Sequence, residues 1–143
     1  MLEKKQIFRE VFFNDIHVAT HVKPKNSHTG LNFVTDDEKF LQLGIWNYKK
    51  GHELPAHYHN EFERKSFKTN EFVYVVSGKL KCDLFTEEGV FIDTLIAKEN
   101  EGIIQHNFTH LYTILEDSII LESKNGPFLG VEKDKTVIDV DKK

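Results

Sequence analysis

Two histidines separated by one residue form the most distinctive local pattern in the sequence. His57 and His59 follow Gly51 and Pro55, residue types that favour a turn leading into a strand. On a strand, side chains two residues apart project from the same face, with backbones about 6–7 Å apart. Two neutral imidazoles at that spacing can bind one metal ion. The pair is therefore a candidate for half of a metal site, and two exposed strand histidines are the simpler alternative.

Two later segments also carry polar groups among apolar residues. Glu71 opens an apolar run and shares its strand face with Val73 and Val75. A carboxylate on such a face is costly unless it is paired, hydrogen-bonded or bound to a metal. His110 begins another apolar run, on the face shared with Tyr112. Both residues are candidates for a site built on strands.

Composition excludes several functional classes. The 143-residue chain has a formal net charge of −4 and contains Arg9 and Arg64 as its arginines, which is unlike a phosphate-binding nucleic-acid protein. Cys82 is the single cysteine, so no internal disulfide can form. Residues 1–6 lack the apolar core of a signal peptide, and no apolar run approaches the roughly 20 residues that span a bilayer. We expect a cytoplasmic protein that binds neither nucleic acid nor membrane.

Hydrophobic alternation with a period of two predicts an all-β fold. Short strand-like runs bounded by turn residues cover 16–22, 40–48, 71–76, 79–85, 90–96, 110–115 and 118–122. Hairpin turns are predicted at 86–89 and 116–118, and polar loops at 23–30 and 123–135. Helical periodicity is weak throughout, with one short helix considered within residues 1–13. Many short strands in one small domain favour a β-sandwich or barrel.

The sequence resembles the first motif of the cupin family in the spacing of its key residues, which are Gly51, His57, His59, Glu71 and Gly78. Five residues separate Gly51 from His57, one separates His57 from His59, and six separate Glu71 from Gly78, as in that motif. The interval between His59 and Glu71 is longer than in the family and spans eleven residues, which a longer hairpin loop can absorb. Of the second cupin motif only the histidine is matched, by His110. The other motif positions hold Glu99, Gln105, Asn107 and Ile114.

This resemblance implies a fold and a metal site. The fold is an antiparallel jelly-roll barrel in a single domain over residues 1–143, with the motif core at 41–122 and residues 1–30 outside it. The cofactor is one divalent transition metal ion (Fe, Zn, Ni, Mn, Co or Cu). Its ligands, matched by position, are His57, His59, Glu71 and His110. The resemblance also implies a small-molecule site in the barrel mouth and often a homodimer.

A metal held in this way suggests two kinds of chemistry. It can polarise a carbonyl or hydroxyl oxygen, which suits an isomerase or epimerase, or it can hold dioxygen, which suits a dioxygenase. Tyr112, His106 and Tyr58 are the candidate proton carriers. The segment 116–128 is similar to small cupins associated with bacterial surface-polysaccharide genes, which implies a sugar-like ligand. The alternatives are a non-catalytic binding or sensing protein with a structural metal, and a metal-free interaction domain.

Other polar residues have simpler interpretations. If residues 106–110 form one strand, His106 and His110 are about 13 Å apart and cannot share an ion, so His106 is expected on a rim or loop. His17 and His21 are expected on a surface, and Cys82 in the core. Two further carboxylates, Glu61 and Glu63, are possible substitutes for Glu71 but more simply belong to a solvated insert. The two-sided apolar run 40–48 predicts a partner surface and hence a homodimer.

Overall fold

Eight β-strands form most of the regular structure in the computed structural model, which describes residues 6–141. They are β1 (Phe8–Phe13), β2 (Ile16–Val22), β3 (Gly30–Phe33), β4 (Gly44–Asn47), β5 (Glu71–Phe85), β6 (Phe91–Lys98), β7 (Gly102–Gln105) and β8 (Thr109–Lys124). A 3-10 turn covers Pro24–Asn26, and one short helix, α1, covers Val131–Asp134. Across residues 6–141, no helix is long and apolar enough to cross a membrane.

The strands form two antiparallel sheets. The larger sheet has six strands in the order β1-β2-β7-β5-β6, with β8 also paired to β5, and the smaller sheet pairs β3 with β4. The predicted antiparallel all-β class is confirmed, and both sheets formed by residues 6–141 are open. Within the larger sheet, the long strand β5 connects β7 with β6, because its first residues pair with β7 and its last residues pair with β6.

A change of side-chain parity within β5 allows both halves of this strand to place buried side chains in the core. Val73 and Val75 are buried in the main core cluster, and so are Leu80 and Cys82, so the inward positions change from odd to even numbers. The register of β5 against β8 shifts between Val75 and Leu80, as a bulge requires. Burying each large aliphatic side chain contributes about 1.5–3 kcal/mol, which makes this inward face the main stabilising feature of the fold.

Several local predictions are confirmed and others are wrong. The turn at residues 86–89 is confirmed, because the Gly89 N–H donates to the Thr86 carbonyl at 3.1 Å. The predicted turn at residues 116–118 is wrong, because β8 continues through it and pairs with β5 on both sides. The helix considered within residues 1–13 is also wrong where it can be compared, since Phe8–Phe13 is a strand paired with β2; residues 1–5 lie outside the described part.

The segment from residue 48 to residue 70 contains no strand or helix. The strand expected at His57 and His59 is therefore not formed. A strand needs a hydrogen-bonded neighbour, and the backbone of this segment lies exposed outside both sheets. Its charged residues, among them Glu61 and Glu63, are exposed, as expected for a solvated insert.

Candidate functional site

Three of the predicted site residues meet at one place on β5 and β8. The Tyr112 hydroxyl donates a hydrogen bond to Glu71 Oε1 at 3.1 Å, and His110 Nε2 lies 3.6 Å from the same oxygen. In the sheet register, however, His110 and Tyr112 pair with Leu84 and Cys82, far along β5 from Glu71. The contact therefore requires the β5–β8 ribbon to fold back, which the bulges near Gly78 allow.

Burial controls the protonation of this cluster. The Glu71 side chain is 14% exposed, and its pKa is raised by burial and by the nearby Glu122 carboxylate. Burial also lowers the pKa of His110, so its imidazole is neutral near pH 7. The pKa of Tyr112 is raised by burial and by the neighbouring anions, which keeps the phenol protonated and able to donate. The cluster thus holds one carboxyl group, one neutral imidazole and one phenol.

One atom of the cluster lacks a hydrogen-bond partner. His110 Nδ1 is buried and unpaired, and so is Oε1 of the nearby Gln105, which pairs with Glu71 across β5 and β7. A buried polar atom without a partner costs about 1–3 kcal/mol, so such atoms point to a ligand, a water or an ion. Gln105 was not predicted as a site residue; the signal for it was a polar side chain ending the apolar run at 103–104.

His57 and His59 lie outside this cluster, in the exposed segment. Their rings are 5.2 Å apart at an interplanar angle of 81°, and His57 Nδ1 is 2.9 Å from the Pro55 carbonyl oxygen. Tyr58 between them is 84% exposed. Within residues 6–141, no group of three or more His, Cys, Asp or Glu side chains is arranged to hold a metal ion. The structure thus brings together two of the four predicted ligands.

The two ligands that meet are suited to a transition metal. A carboxylate oxygen and a neutral imidazole nitrogen are common ligands of Fe, Zn, Ni and Mn, and burial already keeps His110 in the neutral form that binding needs. Glu71 and His110 therefore fit half of the predicted set. The other two predicted ligands, His57 and His59, lie on the segment 48–70.

His106 belongs to a different cluster. It lies in the loop between β7 and β8, one of its two predicted positions, but its side chain is buried. It is 5% exposed, and its Nε2 lies 3.1 Å from the Thr20 hydroxyl, which also lies 2.9 Å from Nε2 of His17. The two imidazole rings are 4.1 Å apart. Burial, with a smaller effect of His17, lowers the pKa of His106 to about 3. His106 therefore stays neutral and contributes to packing within this cluster.

The expectation of surface positions for His17 and His21 is wrong. His21 is 6% exposed and its Nε2 lies 2.8 Å from a carboxylate oxygen of Glu101. The physical reason is that both faces of β2 are covered, since five consecutive residues, 18 to 22, are buried. Cys82 is fully buried, which confirms its predicted place in the core.

Comparison with known proteins identifies no relative. No protein-family model matches the chain, no curated protein is significantly similar to it, and no solved structure matches it significantly.

Proposed function

We propose that the chain is a metal-binding protein of the cupin type that acts on a small organic molecule at the Glu71–His110 cluster. The observation that carries this proposal is the approach of His110 Nε2 to within 3.6 Å of Glu71 Oε1, with His110 Nδ1 buried and unpaired. Burying a carboxyl group and a neutral imidazole side by side costs free energy unless the two groups bind a ligand or an ion.

The proposed jelly-roll barrel requires the segment 48–70 to add a strand to β8. Among the described strands, β8 pairs with β5 alone, so its other edge presents unpaired backbone groups. Such an edge is a template for a further strand. If the segment docks there, His57 and His59 come beside His110 and the sheet closes. Its length poses little difficulty, because the entropic cost of closing a loop grows slowly with length.

The residues of the cluster have distinct proposed roles. A divalent metal bound by His57, His59, Glu71 and His110 supplies Lewis acidity toward a carbonyl or hydroxyl oxygen. Tyr112 keeps its proton and orients Glu71 through the 3.1 Å hydrogen bond. The Glu122 carboxylate lies close to Glu71 and is 52% exposed, which makes it accessible for moving a substrate proton. An available base favours isomerisation or epimerisation over oxygenation and over a purely sensing role.

Metal binding tests this proposal directly. The protein, purified without a metal-affinity step, is expected to bind one divalent ion per chain in elemental analysis and calorimetric titration with Co²⁺ and Zn²⁺. Each of the variants His57→Ala, His59→Ala, Glu71→Gln and His110→Ala should lower the affinity at least about tenfold, because each removes one ligand. His52→Ala is the matched control, since it removes an exposed histidine of the same segment.

Two results would contradict the proposed metal site. One is the absence of stoichiometric binding by the wild-type protein. The other is weakening by His57→Ala and His59→Ala without any effect of Glu71→Gln or His110→Ala, which would indicate an exposed two-histidine site unconnected with the cluster. Circular dichroism of each variant checks that the fold is retained.

We also propose that the protein forms a homodimer through the start of the outer face of residues 40–48, around Phe40 and not including Trp46 or Tyr48. Leu41, Leu43 and Ile45 pack inward, whereas Phe40 is 49% exposed. Light scattering should give twice the 16.7 kDa mass of one chain. Phe40→Glu should shift the protein toward monomer, and Phe12→Glu, which alters another exposed aromatic, should not. A wild-type monomer at all concentrations would contradict this assignment.

A further inference from the structure

We propose that a second site, an open groove between β4 and the start of β5, binds a neutral carbohydrate. The groove has a volume of about 450 Å³, within the roughly 300–1,000 Å³ of small-molecule sites. Its lining includes three aromatic residues and three small polar ones: Trp46, Tyr48, Tyr74, Ser27, Asn47 and Asn100.

This groove is separate from the Glu71–His110 cluster. Side chains alternate along β5, so Tyr74 projects from the face opposite to Glu71 and Val73. Core packing agrees, because Val73 belongs to the main cluster and Phe72 packs on the second cluster, around Ile104. The groove and the cluster therefore lie on opposite faces of β5.

The aromatic residues provide flat apolar surfaces that are already held in place. Trp46 is 64% exposed, and its ring meets that of Tyr48 at 83° with centroids 6.4 Å apart. Tyr48 in turn stacks on His52 at 4.4 Å and 7°. Rigid aromatic rings offer a large contact area at low conformational cost. The C–H faces of a pyranose ring are flat and apolar, and suit such a surface.

The polar residues provide donors and acceptors around these rings. Tyr74 donates its hydroxyl to Asn100 Oδ1 at 3.1 Å, and Asn47 Nδ2 donates to the Ser27 carbonyl at 3.0 Å. These bonds fix the orientation of both amides, and each amide retains further capacity to donate or accept. Sugar hydroxyls both donate and accept, so neutral amides match them.

Charge distinguishes a carbohydrate from the competing ligands. Lys25 is the one charged residue of the groove lining. A nucleic acid would need several cations to neutralise its phosphates, and an acidic ligand would need a closer positive group. Aromatic surfaces combined with neutral amides therefore favour an uncharged, hydroxyl-rich ring.

Trp46 allows a direct test, because it is the only tryptophan in the chain. Its fluorescence is to be measured during titration with glucose, galactose, mannose, N-acetylglucosamine, maltose and cellobiose. At least one of these sugars should change the signal saturably, whereas sorbitol, a polyol without a ring, should not. A decathymidine oligonucleotide is included as the nucleic-acid probe.

Variants then show where the sugar binds. For the sugar that responds, Trp46→Ala and Tyr74→Ala should each weaken binding about tenfold in calorimetry, and Tyr74→Phe should weaken it less. Phe33→Ala, which removes an exposed aromatic from β3 outside the lining, should have no effect. His110→Ala should also have no effect, which separates this site from the proposed metal site. No response to any ring sugar, an equal response to sorbitol, a response to the oligonucleotide alone, or unchanged binding in both Trp46→Ala and Tyr74→Ala would overturn the proposal.

Discussion

Gly78→Ala is expected to lower the free energy of unfolding by about 3 kcal/mol or more. Gly78 lies in the bulge of β5 with φ of +92°, which L-residues rarely adopt. An added Cβ would also overlap Ser118 Oγ and lie 2.5 Å from the Asp117 carbonyl oxygen. A strained backbone costs about 1–3 kcal/mol, and the clash with β8 backbone adds to it. Urea unfolding measures the difference.

Two other glycines separate these contributions. Gly30→Ala tests backbone strain alone, because Gly30 has φ of +107° and no atom within 4 Å of the added Cβ. Gly102→Ala tests steric overlap alone, since its Cβ would meet the Phe72 ring and lie 2.8 Å from the Val73 carbonyl oxygen. Gly78→Ala should cost more than Gly30→Ala. Equal losses for these two variants would mean that β8 shifts freely at Ser118.

The same glycine shows how far the sequence predicts the fold. Alternation identified Val73, Val75 and Cys82 as inward residues, and all three are buried. The pattern also changes parity at Gly78, and the sequence predicts two separate strands on either side of it, at 71–76 and 79–85. The structure has one strand there, because a bulge can change the parity without ending the hydrogen-bonded ladder.

The errors elsewhere arise from tertiary pairing that no local pattern contains. Residues 116–118 have the composition of a turn, yet β5 supplies a partner strand across them and β8 continues. Residues 8–13 alternate poorly, and they form the edge strand β1 because they pair with β2. Local composition is a weak guide where a neighbouring strand decides the conformation.

The candidate site was predictable where a polar side chain, whose burial costs free energy, lay on an apolar strand face. Glu71 was identified in that way and His110 mostly by its match to the second cupin motif, and the two residues meet. The HisXHis pattern specified the chemistry of His57 and His59 but not their location, because the position of a long exposed segment depends on what it docks against. The cluster of His17, Thr20 and His106 was missed because it joins residues 86 positions apart, with no motif between them.

That buried cluster is expected to make the protein sensitive to acid. Burial lowers the pKa of His106 to about 3, whereas in the unfolded chain it is near 6.5. Below pH 6.5 the unfolded state therefore binds a proton that the folded state does not, and stability falls as the pH falls. One such histidine costs about 1.4 kcal/mol per pH unit between pH 6.5 and pH 3, or about 2 kcal/mol between pH 7 and pH 5.

The groups around His106 disfavour the binding of a proton to its imidazole. His17 and Lys39 both lie close enough to disfavour a positive charge on His106, and the Glu10 carboxylate is 3.7 Å from Nε2 of His17 rather than beside His106. Because Thr20 already contacts both imidazoles, its hydroxyl can accept a hydrogen bond from one ring while donating to the other, and the ring that accepts must be neutral.

His106→Gln isolates this contribution, since glutamine keeps a hydrogen-bonding group but does not titrate. Urea unfolding from pH 4 to pH 7 should show a pH slope smaller by about one proton than in the wild-type protein. A residual slope is expected from His17, His21 and His110, whose pKa values burial also lowers. The exposed His28→Gln variant is the matched control and should retain the full slope. Parallel curves for the wild type and His106→Gln would show that His106 accepts a proton in the folded protein, most simply because the cluster opens to water.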